Sequence, residues 1–174
     1  MTTLLILLSL VIFVVYNIIM NHKFGLPSSL SATYYNLPNK FRWVFTIYMW
    51  AVALLLLPAW IEVCNSFGDW REYLRFLSFL TCALICFVGV APNFRAFPME
   101  SKVHTISATT AAITALLWCF ICCWNIMYVP IGAALIVLGI ALYTKTLKSS
   151  KVYWLEMMAF GATYASVLVC SLLY

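Results

Sequence analysis

The sequence predicts an all-α fold, a polytopic transmembrane bundle of six helices in a single domain, and three observations predict it. Of 174 residues, 66% are hydrophobic and only 9% are charged, whereas an ordinary soluble domain carries about a quarter charged residues. The apolar residues fall into six runs, and nearly all charges lie between them. Each run approaches the roughly 20 residues with which a helix, rising about 1.5 Å per residue, crosses about 30 Å of hydrocarbon. Trp and Tyr gather at the ends of the runs, the depth at which such rings meet the headgroups.

The first run, 3–20, is too long for the apolar core of a signal peptide. No basic residue precedes it and no small-x-small cleavage site follows, so it is expected to be a retained helix. The second, 43–63, contains Pro58, which is expected to bend its outer end. The third, 73–90, is stopped by Pro92, and the fourth spans 102–124. The fifth, 129–144, has Pro130 in its first turn, where a missing N–H is tolerated. The sixth spans 152–173. The tight turn at Asn125 predicts that the fourth and fifth helices form an antiparallel hairpin. Trp43, Trp60, Trp70, Trp124, Tyr128, Tyr143, Tyr153 and Trp154 are the expected interfacial anchors. The longest connection, 21–42, carries Gly25, Pro27 and Pro38 and is expected to fold back against the membrane.

Lys and Arg set the expected orientation. The loops after the first, third and fifth runs hold Lys23, Lys40, Arg42, Arg95, Lys102, Lys145, Lys148 and Lys151, while the other side holds only Arg71 and Arg75. This eight-to-two split puts the basic side in the cytoplasm and both termini outside. The net charge of +5 then reads as an orientation signal that also suits anionic lipid. It is not a nucleic-acid footprint, because no basic helix or interleaving of basic and aromatic residues accompanies it.

The candidate site residues lie toward that basic side. Glu100, His104, Ser107, Ala111 and Thr114 recur at steps of four, three, four and three, which places them on one face of the fourth helix. The neighbouring face, with Val103, Ile106, Ile113, Leu117 and Phe120, is apolar. A polar stripe facing lipid would leave its groups unsatisfied, so the stripe should face the bundle interior, either as the wall of a polar pocket or as interhelical packing. Glu156 lies about one turn into the sixth helix, where a carboxylate costs about 2.5–3.5 kcal/mol on insertion scales unless paired or wet. Arg95, His104 and Lys151 are its candidate partners. Asn17, near the inner end of the first helix, Ser31 in the first loop and Asn93 after the third helix complete the set.

Seven cysteines, mostly inside apolar runs, read as small buried hydrophobes. Cys119, Cys122 and Cys123 resemble a ligand spacing, but no His or carboxylate lies near them in the sequence, and no metal or cofactor is expected. The odd count argues against a disulfide framework. Gly132 and Gly139 share a face of the fifth helix and, with Ala159, Ala162, Thr163 and Ser166 on the sixth, are expected to mark close helix packing. No P-loop, HExxH, GxSxG or dinucleotide fingerprint occurs.

The six-helix layout, the stretch Ser29-Leu30-Ser31 and the run Gly89-Val90-Ala91-Pro92-Asn93 followed by His104 resemble a bacterial six-helix membrane family of unknown function, related to the DRAM/FRAG-type proteins of autophagy and GPI-anchor remodelling. The resemblance implies a lipid-related role in the bacterial inner membrane, with Ser31 and His104 as pocket residues. The family carries Ile-Ser-Asp in the first loop, where Ala32 follows Ser31 here. It also places that loop outside, opposite to the charge count.

Three functions are compatible with these residues. The first is a non-enzymatic protein whose polar pocket in the cytoplasmic leaflet binds or senses a lipid or other amphiphile. The second is a membrane enzyme acting on lipid headgroups through His104 with Glu100 or Glu156. The third is a small oligomeric pore or defence-associated effector. The expected partners are membrane lipids and, under the third reading, further copies of the chain in a homo-oligomer.

Overall fold

A computed structural model describes residues 1–174 as helices joined by short connections, with no strand. The helices are α1 (Thr2–Phe24), the one-turn α2 (Thr33–Asn36), α3 (Trp43–Ser66), α4 (Arg75–Val90), α5 (Pro98–Cys122), α6 (Tyr128–Tyr143) and α7 (Lys151–Leu173). Chain continuity and capping explain the ends. Gly25, at φ 76°, takes the positive dihedral that stops α1. Pro98 opens α5 in the first turn, where its lack of an N–H does no harm. A 3-10 turn over Trp70–Leu74 leads into α4, and its start is capped by Asp69, which accepts from the Arg71 backbone N–H at 2.8 Å. α3 remains helical through Pro58 to Ser66.

Five helical spans are long and apolar enough to cross a membrane: Thr2–Phe24, Asn39–Ser66, Trp70–Val90, Pro98–Cys122 and Lys151–Leu173. α6 is apolar but has 16 residues, about 24 Å at 1.5 Å per residue, less than the hydrocarbon thickness.

Helices α1, α3, α4, α5 and α7 close a ring in which α1 packs on α3, α3 on α4, α4 on α5, α5 on α7 and α7 back on α1. α6 stands outside this ring and packs on α7. The expected α5–α6 hairpin does not form. A short turn fixes where α6 starts but not its neighbour. The small and polar face of α5 is already committed to the ring interior, leaving Ile106, Ile113 and Phe120 outward. The turn after α6 seats it on α7 instead, because the Trp154 indole donates to Thr146 Oγ1 at 3.0 Å. α6 also leaves Gly132 and Gly139 with nothing within 4 Å of an added Cβ, so these two glycines do not mark close packing. The close approach occurs at Gly89, where an added Cβ would lie 3.1 Å from Met49 Cβ and 3.1 Å from the Trp50 ring. There Thr46 Oγ1 donates to Gly89 O at 2.8 Å, and the Trp50 indole donates to Cys86 O at 3.1 Å.

The ring has two unlike ends. At one, Phe67 meets Tyr174 edge-on and Arg71 donates to Cys122 O at 3.4 Å. The Arg71–Asp69 pair at 2.9 Å, the only ion pair in the molecule, lies here, and its hydrogen bonds hold the Asp69 carboxyl below the usual carboxylate range. At the other end, the 25–42 connection folds inward. Leu30, Ser31, Ala32, Thr33 and Tyr34 are all buried. This end also carries the eight basic residues of the 21–42, 91–102 and 144–151 stretches and is called the basic end below.

Three of the expected interfacial anchors turn inward: Trp60, Tyr153 and Trp154 are 0%, 2% and 7% exposed. Position along a helix sets an aromatic ring's depth, but its azimuth decides whether it faces outward. Trp60 packs edge-on against Trp118, with centroids 5.1 Å apart. Trp43, Trp70, Trp124, Tyr128 and Tyr143 are exposed, as an interfacial belt requires.

Candidate functional site

The predicted polar stripe of α5 does face inward. His104, Ser107, Ala111 and Thr114 are buried, while Val103, Ile106, Ile113, Leu117 and Phe120 are exposed. The stripe is not one site, however, because its members meet different partners. His104 Nδ1 lies 3.0 Å from Ala91 O. That carbonyl can only accept, so Nδ1 carries the proton. The imidazole stacks on Phe94 at 4.3 Å between centroids. One turn earlier, Glu100 Oε2 accepts from the Asn93 backbone N–H at 3.1 Å. Asn93 Oδ1 in turn accepts from the Tyr34 hydroxyl at 2.9 Å. Arg95 donates its backbone N–H to Tyr35 Oη at 2.8 Å and lays its guanidinium over the Tyr35 ring at 4.6 Å. Asn93, Arg95, Glu100 and His104 therefore form a bracket that binds the α4–α5 turn to the folded-in first loop. Deeper in the bundle, Thr114 Oγ1 meets Thr81 Oγ1 at 2.8 Å, joining α4 to α5. Ser107 is buried between these two regions.

Asn17 belongs to a second network. Its amide donates to Phe13 O at 2.8 Å and to Tyr48 Oη at 3.2 Å. Its Oδ1 accepts from Tyr153 Oη at 3.4 Å, and Tyr153 Oη accepts from Asn21 Nδ2 at 2.7 Å. Tyr16 stacks on Tyr48 at 3.8 Å and shares a hydrogen bond with Thr33 at 2.9 Å. This network joins α1, α3, α7 and the first loop, and leaves one buried polar atom, Asn21 Oδ1, without a partner.

Glu156 and Ser31 lie on the wall of a narrow cleft with about 70 Å³ of room for water-sized occupants and about 620 Å³ of empty space counting its open side. The cavity lies between α3, α4, α5 and α7, roofed by Leu30 and Ser31, and 12 of its 16 lining residues are hydrophobic. It extends from Met49 to Trp60 along α3, eleven residues or about 16 Å of helix. The α3 and α4 wall, including Leu56, Trp60 and Ile85, is buried, whereas Ala108 and Ala112 on α5 and Glu156 and Ala159 on α7 are only half-buried. The open side is therefore the flank between α5 and α7. Farther along, the same two helices close on each other, with Cys123 Sγ 3.6 Å from Cys170 Sγ.

Glu156 Oε2 accepts from the Leu30 backbone N–H at 2.6 Å, and Ser28 O accepts from the Tyr153 N–H at 3.1 Å, so two hydrogen bonds clamp the first loop onto the start of α7. Arg95, His104 and Lys151 make no ion pair with Glu156. Trp60 was read from the sequence as an anchor, yet it forms the cavity's far wall, and its buried indole N–H has no hydrogen-bond partner. No sequence signal distinguished it from the other terminal aromatics. All seven cysteines are free thiols, and no group of His, Cys, Asp or Glu has the geometry to hold a metal ion.

Comparison with family models, with curated proteins and with solved structures finds no match to the chain. The functional reading therefore rests on the geometry just described.

Proposed function

We propose that this is a six-pass protein of the bacterial inner membrane, with both termini outside, that binds the apolar chain of a lipid or other amphiphile between α5 and α7. The observation that carries this reading is the cavity: mostly apolar, open on a flank between two lipid-length helices, with its one charged group, Glu156, beside Ser31 at the basic end, while the deeper Thr81 and Thr163 hydroxyls are engaged by Thr114 and by Ala159 O. An amphiphile shares that polarity, with a long apolar body and one polar terminus. A flank opening admits such a molecule sideways from a leaflet without passage through water. The eight-to-two distribution of basic residues supports placing the Glu156 end toward the cytoplasmic leaflet. α6 completes the sixth crossing with a short helix, which a bilayer accommodates by local thinning.

The sequence predicts a polar pocket walled by the α5 stripe together with Glu156. The geometry favours a different emphasis: Glu100, His104 and Thr114 are occupied by backbone and hydroxyl partners, and His104 and Glu100 do not line the cavity. An acid–base pair for headgroup chemistry is therefore not assembled around Glu156, and binding without reaction is the reading we carry forward.

Native mass spectrometry of protein released from lipid nanodiscs tests the proposal. Wild type is expected to retain one amphiphile per chain, and Ala159→Phe, which fills the open side, is expected to lose it. Equal retention by both proteins, or none by either, would overturn it.

A further inference from the structure

Taking the amphiphile-binding reading as its basis, we propose that the ligand's head is an amine and that Glu156 is its anchor. Four observations carry this. The carboxylate lines the cavity, and only Oε2 has a partner, the Leu30 N–H at 2.6 Å, so Oε1 has no donor from the protein. The only ion pair in the molecule is Arg71–Asp69 at the opposite end, so no side chain neutralises Glu156. Lys151, on the same helix, is exposed and does not reach the carboxylate, and Arg95 lies over Tyr35 instead. The residues that line the cavity with the carboxylate carry no other charge: Leu30 and Ser31 on the roof, Ala108 and Ala112 on α5, and Ala159 and Phe160 on α7.

A carboxylate half-buried in an apolar cleft is stabilised by a paired positive charge. An alkylammonium supplies what is missing, a positive charge and N–H donors directed at the open oxygen. A neutral hydroxyl supplies a donor without the charge, and a phosphate or carboxylate head would meet Glu156 as a like charge. The apolar remainder of the cavity, about 16 Å from Met49 to Trp60 along α3, receives a single alkyl chain. The proposed ligand class is therefore a single-chain amine amphiphile, held with its nitrogen at Glu156 beneath the Leu30–Ser31 roof and its tail toward Trp60.

The test uses full-length protein in phosphatidylcholine nanodiscs and two probes that share a dodecyl chain brominated at its tail, one ending in a primary amine and the other in a hydroxyl. Bromine quenches tryptophan fluorescence on contact. The quenching lost in Trp60→Phe isolates the signal from the cavity among the seven tryptophans. For wild type, the amine is expected to bind at least tenfold more tightly than the alcohol. Glu156→Gln keeps an oxygen acceptor for the Leu30 N–H and is expected to remove most of the amine's advantage over the alcohol. Equal affinity of the two probes for wild type would overturn the amine assignment with the cavity intact, and that comparison needs no variant at Glu156. Absence of any Trp60-dependent quenching by either probe would overturn the cavity reading itself.

Discussion

The backbone N–H of Leu30 donates to Glu156 Oε2 at 2.6 Å across a separation of 126 residues, joining the first loop to the start of α7. With the bond from the Tyr153 N–H to Ser28 O, it holds the loop as a roof, and it gives an in-span carboxylate a defined position. A hydrogen bond to a charged group contributes about 1.5–3 kcal/mol. Glu156→Leu is therefore expected to speed hydrogen exchange of the Leu30 amide by roughly tenfold or more, and Glu156→Gln by much less. Mass-spectrometric exchange of the peptide covering 26–34 reads this directly. Unchanged exchange in the leucine variant would mean that the loop is held by its other contacts.

The glycines give a paired prediction. Gly89→Ala places a methyl 3.1 Å from Met49 Cβ and from the Trp50 ring, against backbone-anchored neighbours with little room to move. Overpacking of this kind costs about 1–3 kcal/mol. Gly132→Ala meets nothing within 4 Å, and alanine is the better helix former by about 1 kcal/mol. Thermal unfolding in detergent is expected to fall for the first and hold or rise for the second. The reverse order would contradict the α3–α4 contact described above.

Cys123 and Cys170 offer a chemical ruler for the α5–α7 seam. Their thiols are 3.6 Å apart and both residues are fully buried. In a variant keeping only these two cysteines, a membrane-permeant diazene oxidant is expected to draw one hydrogen from each thiol, forming an intramolecular disulfide as the diazene becomes a hydrazine. Intact mass shows the loss of two hydrogens. Pairing Cys86 with Cys170 in the same background is expected to give no cross-link, because Cys86 lies on α4 near Gly89, at the other end of the bundle.

The proposed topology rests on the charge count. Alkaline phosphatase fused after Tyr174 is expected to be active, and β-galactosidase at the same position inactive, because the former folds only outside the cytoplasm. The opposite pattern would place the basic end outside, the orientation that the family resemblance implies.

The helices were legible because lipid imposes a length and an apolar composition on each, and all six predicted runs contain a helix. The inward face of α5 was legible for a related reason: four polar or small residues at helical spacing must avoid lipid. Which helices become neighbours was not legible. The turn at Asn125 suggested an α5–α6 hairpin, but pairing is decided by side-chain surfaces distributed over the whole chain, such as Gly89 against Met49 and Trp154 on Thr146. The cavity was hidden for a further reason. It is bounded by what is small, Ala108, Ala112 and Ala159, and a missing volume has no residue type of its own. Glu156 was visible as an anomaly. That it stands apart from His104 required coordinates.

The ring closes only when α7 meets α1, and this has a consequence for how the protein is made. Ser9 shares a hydrogen bond with Tyr164 at 2.6 Å, and Asn17 accepts from Tyr153 at 3.4 Å, both partners lying on α7. During synthesis α1 reaches the bilayer more than a hundred residues before these partners leave the ribosome. Until then Ser9 has only Val52 O on α3, and Asn17 only Phe13 O in its own helix and Tyr48 on α3, so each lacks its α7 partner. A nascent chain stalled before α7 is therefore the form most dependent on the insertion machinery and most exposed to membrane proteases, and release of the seventh helix ends that dependence.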